Sequence, residues 1–174
     1  MNDDLRAQFV RAAMARAGSP PAAAAVVAAV AEASEPQEYV LEVAVTTATG
    51  ILTACVVTTH RVFVGEQPGV LAVIDLDSLT GASIASTDQG EIALEMHSME
   101  GTARWVGFSP NGVQRILYGI TFAQDELARR RRVHQPPATI TELFERWRNV
   151  PQGPGSPEAR AALRSTPRGP EWMD

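Results

Sequence analysis

Three histidines, one cysteine and a nearby pair of aspartates are the residues of this 174-residue chain best suited to chemistry. His60, His97 and His134 are scattered, with no His-x-x-x-His or Glu-x-x-His spacing to set two metal ligands on one face. His97, in a strand-like run beside Met96 and close to Met99, reads as a half-buried structural residue. Asp75 and Asp77 share a strand face and have the spacing to hold a cation, but no third ligand is in view, so solvent exposure is expected. Cys55 lies inside an apolar strand run and, as the single cysteine, cannot form an internal disulfide. A buried, inert thiol is its expected state. Neither a Gly-x-Ser-x-Gly elbow nor a phosphate-cradling glycine loop occurs, and the glycine segments have turn length only. No catalytic, cofactor-binding or metal-binding residue is assigned, and the expectation is a protein that is not an enzyme.

Charge narrows the class of partner. All fifteen basic residues are arginine. Residues 36–110 carry nine acidic and two basic side chains, a net of −7, whereas residues 111–174 carry ten arginines against seven acids, a net of +3. An acidic middle is poorly suited to nucleic acid, whose binding is dominated by phosphate neutralisation, and equally to anionic membrane surfaces. No run of about 18 uncharged apolar residues exists, so no transmembrane segment is expected. Residues 22–31 end in Ala29-Val30-Ala31, like a signal-peptide cleavage site. They are preceded by Asp3-Asp4 and Pro20-Pro21 rather than a compact basic region, so a cytoplasmic location is expected.

These residues need a scaffold, and its elements follow from periodicity. Residues 3–17 read as a helix with Leu5, Phe9, Ala13 and Ala17 on one face and Gly18 as its stop. Ser19 before Pro20 restarts a helix that runs to about Ser34, with Ala23, Val26, Val27, Val30 and Ala33 on one face. So alanine-rich a helix packs closely, as a hairpin laid on the domain or as a dimerisation surface. After Pro36 the pattern changes to seven strands, at 39–46, 51–57, 60–64, 70–75, 83–86, 91–97 and 104–108, separated by turn residues. Residues 91–96 alternate with period two, one face buried and one wet. Ser109-Pro110 opens a helix over 111–128 whose stripe is Val113, Ile116, Leu117, Ile120 and Leu127, widened by Phe122 and Ala123. One helix after seven strands is best used as a plug for an open barrel end. It ends in Arg129-Arg130-Arg131-Arg132, which complement the helix dipole and are expected on a solvated face.

Beyond Pro136-Pro137, Thr139-x-x-Glu142 is a capping-box signature. The helix it starts carries Ile140, Leu143, Phe144 and Trp147 on one face. From Pro151 the chain is rich in Pro, Gly, Ser and Arg and reads as a disordered tail with Trp172 as an isolated aromatic.

Three segments resemble the bacterial pleckstrin-homology-like families, including the GRAM-like and YokE-like groups. Val56-Val57-Thr58-Thr59-His60-Arg61-Val62-Phe63-Val64 looks like their hairpin signature, a Thr-x-x-Arg between apolar runs. Residues 74–79 are similar to the strand that follows, with Asp75 where proline is usual, and Trp105-Val106-Gly107-Phe108 leads into the helix. The resemblance spans roughly residues 36–128. It implies an α+β, mainly β fold: a seven-stranded antiparallel sandwich or open barrel plugged by one helix. Phosphoinositide-binding members of the wider superfamily grip phosphates with basic residues around the first hairpin loop. Here that loop, 46–50, has no positive charge, and Arg61 is expected to be structural.

The expected organisation is an N-terminal helical hairpin at 1–35, the pleckstrin-homology-like domain at 36–132, a linker and short amphipathic helix at 133–150, and the tail at 151–174. The expected role is a non-enzymatic protein-interaction module, acting through Ile140, Leu143, Phe144 and Trp147 on a protein partner or by self-association. Neither nucleic acid nor phosphoinositide membranes are expected partners, and no cofactor is implied. The alternative is a binder of small molecules or lipid acyl chains in a cavity between sheet and helix.

Overall fold

The computed structural model describes residues 3–18, 23–47, 50–67, 69–133 and 139–148, without the side chains of residues 132, 133, 140, 144, 147 and 148. Two units divide the chain, residues 1–133 and 134–174. In the first, α1 (Asp3–Arg16) and α2 (Ala23–Ala33) precede β1 (Val40–Thr46), β2 (Thr53–Thr58), β3 (Arg61–Glu66) and β4 (Gly69–Asp75). Next come β5 (Leu79–Ser86), β6 (Ile92–Ser98), β7 (Gly101–Val106) and α3 (Pro110–Val133). The second unit contains α4 (Ile140–Arg148).

The strands form two antiparallel sheets in chain order, β1-β2-β3-β4 and β5-β6-β7, with no closed barrel. The fold is therefore α+β and mainly β, as the alternation of apolar and polar residues implies. Side chains on opposite pleats of the larger sheet enter different cores. Cys55, Val57, Val62 and Val64 join Leu94 and Met96 of the smaller sheet and Val113, Ile116, Ile120 and Ala123 of α3. Val40, Val43, Val56 and Phe63 on the other face pack under Phe9, Ala13, Val27, Val30 and Ala31 of the N-terminal helices. Covered on both faces, β2 is buried at all six positions. That is why its sequence is a continuous apolar run rather than an alternation.

The helix starts and stops follow local chemistry. Ser109 Oγ accepts the Gly112 N–H at 3.0 Å, an N-cap with Pro110 at the first helical position of α3. Gly18, at φ 76°, ends α1, a left-handed conformation that favours glycine. Two helices approach the larger sheet closely through glycine. A Cβ on Gly119 of α3 would lie 3.3 Å from the Glu42 Cβ. On Gly65 of β3 it would lie 2.5 Å from Val26 Cγ1 of α2 and 2.9 Å from the Gly69 carbonyl oxygen. Because one of those obstacles is backbone, Gly65→Ala is expected to cost about 1–3 kcal/mol. A urea melt should show a lower midpoint with an unchanged slope, and an unshifted midpoint would refute the close packing of α2 on β3.

Several expected boundaries move. The fifth strand begins at Leu79, not residue 83, because Leu79 and Gly81 pair with Ser98 and His97 around a bulge at Thr80. Cross-strand pairing overrides the weak strand preference of Thr80-Gly81-Ala82. The seventh strand runs from Gly101 to Val106, ending before Gly107 at φ 86°. α3 begins at Pro110 and runs beyond its apolar stripe through the four arginines, as expected, to Val133. In α2 the buried position is Ala31, whereas Ala33 is exposed. The proposed start of that helix at residues 19–22 lies outside the described residues. In β6, Ala93 is buried as well as Leu94 and Met96, so the wet face expected there is partly covered.

Candidate functional site

The histidines occupy separate structural positions. His60 Nδ1 lies 2.9 Å from Thr59 Oγ1 in the β2–β3 turn, and His97 Nδ1 lies 2.9 Å from Thr102 Oγ1 across β6 and β7. His134 lies outside the described residues. Asp75 is exposed at the end of β4, and Asp77 pairs with Arg131 of α3. Among the described residues, no three His, Cys, Asp or Glu side chains converge on a possible metal position. Cys55 is 0% exposed, and burial pushes its thiol pKa up, away from the reactive thiolate.

The Thr-x-x-Arg segment is a structural clasp. Thr58 Oγ1 accepts the Arg61 N–H at 2.9 Å, closing the β2–β3 turn. The Arg61 guanidinium turns back onto Glu38, with Nε donating to Oε1 at 3.0 Å and Nη2 to Oε2. Nη2 also donates to the Ala33 carbonyl at 3.3 Å, and the guanidinium lies 5.1 Å from the centre of the Phe63 ring. These bonds hold the guanidinium pKa above its ordinary value. One arginine therefore ties the end of α2, the approach to β1 and the β2–β3 hairpin together, so its expected structural role is found.

A second buried pair was not anticipated. Glu42 of β1, 5% exposed, faces α3, and Arg115 donates from Nε to Glu42 Oε2 at 3.0 Å and from Nη2 to the same oxygen. Arg115 Nη2 also donates to the Arg16 carbonyl at the end of α1, at 3.1 Å. Arg16 Nε in turn donates to the Leu41 carbonyl at 2.7 Å. Burial pushes the Glu42 carboxyl pKa up, opposed by the Arg115 charge and hydrogen bond, and burial lowers the Arg16 pKa. A glutamate inside the otherwise apolar run of β1, and an arginine beside the α3 stripe, were the available signals.

The arginine run at the end of α3 is not simply a solvated face. Glu126, 6% exposed, receives Arg129 Nη2 at 2.9 Å and Arg130 Nε at 3.1 Å, while Arg131 pairs with Asp77. Spacings of three and four residues put Arg129 and Arg130 within reach of Glu126, so this correction was legible in the sequence. Arg130 is mostly covered, whereas Arg129 is partly exposed and the Arg131–Asp77 pair lies at the surface. Two residues further back, Gln124 Nε2 donates to the Leu76 and Leu79 carbonyls at 3.2 and 2.9 Å, fastening α3 to the loop between the sheets.

Of the four residues expected to bind a partner, the backbone of all lies in α4. The capping box is present: Thr139 N–H donates to Glu142 Oε2 at 2.9 Å and Glu142 N–H to Thr139 Oγ1 at 3.3 Å. Leu143 is buried, and the side chains of Ile140, Phe144 and Trp147 lie outside the described residues, as do Trp172 and the expected disordered tail. In the first unit, the large apolar side chains most open to solvent on edge strands are Leu71 (59%) and Val73 (47%) of β4 and Ile84 (50%) of β5. Leu71 is the bulged residue of β4.

The class defined is a two-sheet antiparallel sandwich with a helical hairpin on one face and a capping helix after the last strand. Comparison with protein-family models, with curated proteins and with solved structures found no match.

Proposed function

We propose that this chain is a non-enzymatic protein-interaction module built on a pleckstrin-homology-like sandwich, with Ile140, Leu143, Phe144 and Trp147 as the contact stripe. The family reading rests on the Thr-x-x-Arg clasp, on seven strands split four and three, and on the helix that follows them. The interaction reading is carried by α4: nine helical residues with a complete capping box. A helix of that length is marginal alone in water. Its apolar residues stand at i, i+3, i+4 and i+7, the spacing of a single docking face, on which Leu143 is already covered. The rival reading, a cavity for a small molecule or acyl chain, has less support. Leu94, Met96, Phe108, Ile116 and Ile120 pack where such a cavity would lie.

Phe144→Ala/Trp147→Ala in the full chain is the test. Light scattering should show self-association lost, or capture from the native cell lysate should show a specific partner lost, with the melting temperature of the sandwich unchanged. A double variant that unfolds the sandwich would instead make α4 part of the core and place the interaction elsewhere.

A further inference from the structure

We propose that α1 is a reversible guard over β1: it opens locally while α2 and the sandwich stay folded, and its opening uncovers both the outer face and the free edge of that strand. The two N-terminal helices are held very differently. In α2, Ala23, Val26, Val27, Val30 and Ala31 are all 0% exposed, and Val26 packs onto Gly65. In the fourteen residues of α1 only Phe9 and Ala13 are buried. Val10 and Met14 add partly buried contacts, and a helix of that length depends on docking for its helicity. Its seat also contains a defect: Arg6 Nε is buried with no hydrogen-bond partner among the described residues. An orphaned donor opposes docking, because the same group is hydrated when α1 is open.

What α1 covers gives the opening its meaning. β1 is an edge strand of the larger sheet, and Leu41 is its bulged residue. The Leu41 carbonyl is taken by Arg16 Nε at 2.7 Å, and Val40 and Val43 lie under Phe9 and Ala13. With α1 away, the strand offers an unpaired carbonyl beside an apolar face. That is the template on which a further strand or chain builds, and folded proteins keep such edges covered. The guard is latched where Arg115 donates to the Arg16 carbonyl at 3.1 Å. The latch is on Arg16, the same residue that holds the Leu41 carbonyl, so full opening breaks both Arg16 bonds while Arg115 keeps its bonds to Glu42. The proposal stands apart from the α4 reading.

Hydrogen exchange followed by mass spectrometry on the full chain tests it. In the native protein, residues 3–16 should exchange through an opening insensitive to low urea, whereas α2, β2 and β3 exchange only by global unfolding. Exchange of α1 at the global rate would overturn the guard. Phe9→Ala should speed exchange in α1 on the order of a hundredfold while leaving the protection of α2, β2 and β3 in place. A uniform loss of protection would make α1 an integral part of the core. Arg6→Leu acts in the opposite direction: without the orphaned donor, α1 should exchange roughly tenfold more slowly. No slowing would remove the defect from the argument and with it the proposal.

Discussion

Ile116→Asp is expected to abolish the folded sandwich. Ile116 is 0% exposed on α3, within the cluster that includes Leu41, Val57, Leu94 and Met96 from both sheets. An aspartate there has no cation in that apolar cluster and must either stay charged without solvent or take up a proton. Substitutions that bury an unpaired charge belong to the small group costing more than about 4–5 kcal/mol. Set against a net stability of about 5–15 kcal/mol for a domain of this kind, the loss consumes most or all of it. Far-UV circular dichroism should show no cooperative melt, whereas Ile116→Val, losing one methyl, should melt cooperatively at a cost of about 1 kcal/mol. A cooperative transition within a few degrees of the parent protein would show that α3 does not close the space between the sheets.

Removing Arg115 should come next in effect. Arg115→Met keeps much of the side-chain volume but leaves Glu42 buried without its partner, a loss of about 3–5 kcal/mol. The pH dependence has a definite sign. Burial already raises the folded-state pKa of Glu42 above its unfolded value. The contribution of this group is therefore fully present below the unfolded carboxylate pKa and is lost as pH rises through the raised folded value. Taking away the Arg115 charge removes a lowering influence and raises the folded value further, so the variant should be worst at neutral pH and recover part of its deficit toward pH 4. Glu42→Leu/Arg115→Leu should be close to neutral, because it removes both charges together. Urea denaturation at two pH values distinguishes these outcomes. A single variant equally stable at both would mean that Glu42 is solvated rather than buried.

The readable part of the fold was the part written in local chemistry. The change from period two to period 3.6 at Pro110 places the boundary between strand and helix. Ser109-Pro110 and Thr139-x-x-Glu142 mark two helix starts through hydrogen bonds spanning three residues. Glu42 and Arg115 are 73 positions apart and Glu38 and Arg61 are 23 apart, so no sequence window contains either pair. Their meeting depends on strand register and on the angle of α3, neither of which periodicity specifies. The division of the strands four and three is a similar case, since the turn at residues 76–78 looks no different in composition from a hairpin turn. Ala31 and Ala33 differ in burial for a geometric reason. Ala23, Val26, Val27 and Val30 mark the face correctly, but at its margin alanine stands on both sides, so composition cannot choose between Ala31 and Ala33.

Cys55 gives the protein an internal stopwatch. Its thiol is closed off between two layers of the fold, in a strand covered on both faces, and no other thiol competes with it. A thiol reagent added to the native protein can react only in molecules in which α3 or the smaller sheet has lifted away or the domain has unfolded. The labelling rate then measures how often the core between the two sheets opens, with no engineered probe and no perturbing substitution. An opening confined to the N-terminal helix leaves Cys55 under α3 and the smaller sheet, so the reagent is blind to it. The two kinds of motion can thus be timed separately in one sample.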